Sequence, residues 1–140
     1  MIIDFENGQI NVKNSFFKHN MTFMDSLQQA KKFDYEVRDF KNGYKWIYFK
    51  TKEIKGYFFH IGLCFKDDFL DFVDFRFLTL EELKNDTWDN WSEEKELKKK
   101  ERYENWLDDS IGSNRQFIWG KTVTYYDSKG GSSGILIKYK

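Results

Sequence analysis

The sequence predicts a single α+β domain over residues 1–140, an antiparallel sheet with a short and a long helix packed on one face. Three observations lead there. Between residues 2 and 78, short stretches of alternating apolar and polar residues recur, separated by turn-forming residues. One charged stretch, residues 87–112, repeats its apolar side chains at helical spacing. Two more strand-like stretches close the chain after it. Apolar residues on one side of each strand mean a sheet with one face against the helices.

Taken in order, residues 2–5 and 9–13 flank Glu6-Asn7-Gly8, and Asn-Gly suits a tight hairpin because both residues tolerate positive φ. Phe16 and Phe17 read as a buried link. Thr22 caps a short helix over residues 23–32, with Asp25 three positions on; Phe23, Met24, Leu27 and Ala30 form its apolar stripe. A four-strand meander follows at 35–40, 44–50, 54–65 and 69–78, turned by Lys41-Asn42-Gly43, residues 51–53 and Lys66-Asp67-Asp68. In the third strand Tyr57, Phe59, Ile61, Leu63 and Phe65 share one face, while Phe58, His60, Gly62 and Cys64 share the other. Val73, Phe75 and Phe77 continue the apolar row, and Tyr44, Trp46 and Tyr48 read as a packed face. Residues 79–85 form a helical turn capped by Thr79.

The long helix begins at Ser92, whose hydroxyl can accept from a free first-turn amide, or alternatively at Asn90 with Glu93 three residues on in the manner of a capping box. Glu93, Glu94 and Glu96 sit near the positive end of its dipole, with Lys98, Lys99, Lys100 and Arg102 further along. Glu94 to Lys98 and Glu96 to Lys100 are favourable pairs one turn apart. Leu97, Tyr103, Leu107 and Ile111 form the inward face with Trp106 at its edge, and Gly112 ends the helix. Its mixed charges read as a solvated face. Residues 115–126 and 134–139 are the C-terminal hairpin, joined by a Gly- and Ser-rich loop over 127–133. That loop lacks the residue order of a phosphate-binding loop and leads into a strand instead of a helix.

Composition narrows the function. Aromatic residues make up 20% of the chain, enough for a thick core, with Trp46, Trp106 and Trp119 contributing. Basic and acidic residues both number 23, so no long-range pull on a polyanion is built in, and nucleic acid is an improbable partner. No run of apolar residues is long enough to span a membrane, and the first residues lack the pattern of a secretory signal. With Cys64 as the lone cysteine, no internal disulfide is possible; a cytoplasmic location is expected.

Sites for chemistry are few. His60 and Cys64 share a strand face, but four strand residues separate them by roughly 13 Å, too far for a thiolate–imidazolium pair. His19 has no partner at metal-ligand spacing, and neither a metal nor a cofactor site is indicated. Asp67, Asp68, Asp71 and Asp74 cluster on a turn and the strand after it, with Glu81, Glu82 and Asp86 following. Between residues 66 and 96, 11 acidic residues face 4 basic ones, against a basic remainder.

Trp88-Asp89-Asn90-Trp91-Ser92-Glu93-Glu94-Lys95-Glu96, Trp106-Leu107, Trp119-Gly120 and Tyr126-Asp127-Ser128-Lys129-Gly130-Gly131-Ser132-Ser133 carry a resemblance. Over about residues 60–140 the chain resembles a group of small bacterial proteins, some of them similar to immunity proteins encoded beside secreted toxins. The resemblance implies a binding role and transfers no reaction. The expectation is a cytoplasmic protein-binding module, an immunity-type inhibitor of a toxin. It would present Asp67, Asp68, Asp71, Asp74, Glu81, Glu82 and Asp86 where a nuclease expects phosphates. The alternatives are an enzyme of unfamiliar type with a carboxylate site, or a small-ligand domain with a cavity among Phe59, Phe75 and Trp106. Oligomeric state is open.

Overall fold

A computed structural model describes residues 1–140. The N-terminal segment forms a small sheet of its own from β1 (Ile2–Ile3), β2 (Ile10–Val12) and β3 (Ser15–Phe17). Gly8 turns the first hairpin at φ 75°. The expected link at Phe16 and Phe17 is therefore a strand, with Phe17 buried and Phe16 outward. Helix α1 (Phe23–Ala30) begins where Thr22 Oγ1 accepts from the Asp25 amide at 3.1 Å. Met24 is 59% exposed and leaves the expected stripe. It lies about a third of a turn from Ala30, which points at the core.

Strands β4 (Asp34–Asp39), β5 (Tyr44–Lys50), β6 (Phe58–Lys66) and β7 (Phe69–Leu78) form the antiparallel meander. The third strand starts later than expected, because Ile54 and Tyr57 bridge each other around Lys55 and Gly56, both at positive φ. Helix α2 (Leu80–Lys84) has a full capping box between Thr79 and Glu82. After a short 3-10 turn at Trp88–Asn90 comes α3 (Glu93–Ile111), with Ser92 accepting from the Lys95 amide and Gly112 at φ 79° ending it. The chain closes with β8 (Gln116–Phe117), β9 (Gly120–Asp127) and β10 (Ser132–Tyr139). Ser132 pairs with Asp127, so the expected seven-residue loop is a tight turn and both serines belong to the strand.

The large sheet runs β4-β5-β6-β7-β10-β9-β8, every neighbour antiparallel. The C-terminal hairpin thus enters from the far edge and brings β10 against β7. One face is covered by α1, α3 and the small sheet. Phe49, Phe59, Ile61, Leu63, Phe65, Val73, Phe75, Phe77, Ile135 and Ile137 are buried there with Tyr103 and Leu107 of α3. Phe77 is a hub, with ring centroids 4.8 Å from Tyr103 and 5.6 Å from Trp106. Burying rings of this size contributes roughly 1.5–3 kcal/mol each. Trp119 packs against this core, its indole N–H donating to the Phe5 carbonyl at 2.8 Å, while Tyr139 donates to the Gly8 carbonyl at 2.8 Å.

On α3 the inward face differs from the expected one. Leu97 is 45% exposed and Glu96 only 6%. Glu96 lies about 20° around the helix from both Tyr103 and Leu107, whereas Leu97 is about 80° from Leu107. Geometry overrides polarity here, because Glu96 finds partners inside. Its ion pair is with Lys99, at 2.8 Å, instead of Lys100; Glu94 and Lys98 pair as expected. No helix is long and apolar enough to cross a membrane.

Candidate functional site

The other face of the seven-stranded sheet has no helix over it. Trp46 and Tyr48, expected as a packed face, lie on this uncovered side, since Ile47 and Phe49 between them fill the core. They stack on each other at 5.2 Å with rings nearly parallel. Strand register sets two rows across the middle of this face. Lys50, His60 and Arg76 are directly opposed on β5, β6 and β7; Tyr48, Gly62 and Asp74 form the next row.

Two glycines shape the surface between them. A Cβ on Gly62 would stand 3.1 Å from the Trp46 ring and 3.3 Å from Tyr48, so its absence lets both rings lie down on the sheet. A Cβ on Gly134 would stand 2.8 Å from the Tyr125 hydroxyl. Without one, Tyr125 reaches across β10 and donates to Asp74 Oδ1 at 2.7 Å. The hollow left between the two tyrosines has a volume of about 470 Å³ and is lined by Asp34, Lys50, His60, Asp74, Arg76 and Tyr125 among others.

Burial and local charge set the protonation states. Partial burial, then Arg76 and Lys50, hold His60 down to about 4, so it is neutral at pH 7. Burial raises the Asp74 carboxyl, only partly countered by the Tyr125 hydroxyl and Arg76. Burial and the Asp74 carboxylate push the Tyr125 phenol up, keeping it a donor. Cys64, on the same face, is buried and pushed up to about 11 by burial and then Asp71; it is an inert thiol. No three His, Cys, Asp or Glu side chains converge as metal ligands would.

A cleft of about 340 Å³ adjoins this hollow, and Arg76 lines both. Its walls are α2, the 3-10 turn, the first half of α3 and the β9–β10 turn. The tryptophan motif and the Gly-Ser motif meet here. The Trp91 indole N–H donates to the Gly131 carbonyl at 2.6 Å, and a Cβ on Gly131 would crowd that indole at 3.0 Å. Some of the polar groups inside are committed to one another. Arg102 pairs with Glu82 at 2.8 Å and donates to the Phe77 carbonyl at 2.6 Å; Lys95 donates to the Asn90 carbonyl at 2.9 Å. Burial works to raise the Glu82 carboxyl, but the Thr79 amide and Arg102 outweigh it and hold it below its usual range.

The acids singled out in the sequence fall into three groups. Asp67 and Asp68 make the β6–β7 turn, and Asp68 pairs with Lys45 at 2.7 Å. Asp71 is the extra residue of a bulge opposite Cys64 and Phe65, and Asp74 lies in the open hollow. Glu81, Glu82 and Asp86 line the cleft beyond the other end of β7. Strand β7, ten residues long, separates the first group from the third by roughly 30 Å. Phe75 and Trp106 are in direct edge contact at 5.7 Å, and the larger hollow lies on the opposite face of the sheet from them. Lys50, Arg76 and Tyr125 were not apparent as site residues, since only strand register brings them together. No protein-family model, curated protein or solved structure matches the chain.

Proposed function

We propose that this chain is a protein-binding module, an immunity-type inhibitor that docks a basic surface of its partner through the acidic segment spanning residues 79–94. The observation that carries this reading is Trp88, 74% exposed with its ring 6.0 Å from that of Trp91. The segment around it holds six acidic residues against one lysine, and Leu80 is exposed beside them in sequence. An exposed indole is the kind of aromatic anchor that carries much of the affinity in a binding hot spot. Carboxylates around it speed association with a basic face and set orientation. The expectation of a binding role, drawn from the resemblance of residues 60–140 to small bacterial proteins of which some are immunity-like, points the same way. Glu81, Asp86 and Asp89 are exposed and make no ion pair within the chain, so they are available for the partner.

The test is to capture a partner from the native lysate with the tagged chain and then to measure its affinity by calorimetric titration and its association rate by stopped flow at low and high salt. Trp88→Ala should weaken binding about 30-fold or more, the loss expected of a hot spot. Joint reversal of Glu81, Asp86 and Asp89 to Lys should slow association and remove its salt dependence. Both variants should keep the wild-type Tm. Binding unaffected by both variants, or absent in the wild type, would reject the proposal.

A further inference from the structure

The Lys50–His60–Arg76 row points to a second site, and we propose that it binds the carboxylate or phosphate group of a small polar molecule in the hollow of the open sheet face. The three side chains stand on adjacent strands in direct register. Lys50 and Arg76 flank the neutral His60 two strand spacings apart, about 10 Å, and both line the hollow above it. None of the three makes an ion pair or side-chain hydrogen bond within the chain. Of the four arginines, Arg38, Arg102 and Arg115 are each paired with a carboxylate and Arg76 is not. An anion seated on the row would receive the planar fork of Arg76, the ammonium of Lys50 and an N–H of neutral His60.

The surroundings select what else the molecule carries. Asp74, fixed by Tyr125, stands one row away and accepts from an N–H or O–H of the ligand. Tyr48 offers the edge of a stacked pair. Asp34 opposite Lys50, Asp86 near His60, and the mutually paired Glu36 and Arg38 complete the charged rim. Anions are therefore favoured on the row and disfavoured around it. A volume of about 470 Å³ suits a small molecule.

The chain has two histidines, and His19, stacked on Tyr139 away from this face, serves as an internal reference. The experiment follows both imidazole resonances by NMR across pH in inorganic phosphate, in acetate and in chloride of equal ionic strength. Phosphate or acetate should raise the His60 midpoint from about 4 by about one pH unit or more and leave His19 unmoved. The anion with the larger effect identifies the ligand group. Arg76→Gln and the solvent-exposed Lys50→Gln should each weaken anion binding about tenfold, with Arg76→Lys retaining part of it. An identical His60 midpoint in all three salts would overturn the proposal. So would a folded Arg76→Gln variant that binds phosphate and acetate as the wild type does.

Discussion

The main-chain amide of Ser133 donates to Oε1 of Glu96 at 3.2 Å, tying the start of β10 to the first turns of α3. Strands β7 and β10 pair from Phe72 with Lys138 to Phe75 with Ile135 and are unpaired beyond. Side chains of α3 take over the ladder there. Arg102 and Tyr103 donate to the Phe77 carbonyl at 2.6 and 3.2 Å, and the Ser133 hydroxyl donates to the Glu96 carbonyl at 3.1 Å. A helix thus satisfies the backbone of two strands it lies against.

Removing that carboxylate should cost folding stability without touching the apolar core. Glu96→Ala leaves a buried amide unpaired and is expected to lose roughly 2–3 kcal/mol, read from urea denaturation. Glu96→Gln keeps an acceptor and should lose less than half of that. An alanine variant as stable as the wild type would show that water replaces the bond.

Gly120 explains the Trp-Gly pair in the sequence. At φ 154° its Cα faces the neighbouring strand so closely that a Cβ would stand 2.0 Å from the Lys138 carbonyl oxygen. Backbone cannot move aside as a flexible side chain can. Gly120→Ala should lose roughly 2–4 kcal/mol and loosen the Trp119 clamp on the N-terminal hairpin. Tryptophan fluorescence and Tm report both; an unchanged Tm would mean that β9 can shift outward.

His60 makes stability depend on acidity. The unfolded chain takes up a proton near the ordinary histidine value of 6.5, which the folded chain refuses until about 4. Stability should therefore fall as pH drops through that window and lose nothing further from this group below it. Asp74 acts in the opposite direction, since its raised carboxyl lets the folded chain hold a proton that the unfolded chain has lost. The informative comparison is wild type against His60→Gln: the difference in Tm should narrow or reverse from pH 7 to pH 4. A constant difference would contradict the half-buried, neutral state of the imidazole.

How much of this could be read in advance varies by element. The caps of α1, α2 and α3 at Thr22, Thr79 and Ser92 were legible because capping depends on residues three positions apart. Alternation in β6 and β7 separated Ile61 and Phe75 from His60 and Cys64 for the same local reason. The direction of α3 was half legible. Its period singles out Glu96 as clearly as Tyr103, but a carboxylate is assigned inward only when an unpaired amide waits for it, and Ser133 is 37 residues away in sequence. Tyr44, Trp46 and Tyr48 show the converse: an aromatic row signals a strand face, and whether anything covers that face is not a local property.

By itself the sequence determined the α+β class, the meander, the capped helices and the composition of a phenylalanine-rich core, because each follows from short-range periodicity and backbone preference. Only the tertiary structure decided that β10 enters beside β7, that Glu96 turns inward, and that Lys50, His60 and Arg76 stand in one row. Those depend on pairing between distant segments, where register is set by what the whole sheet buries and a slip of one residue would reverse every face.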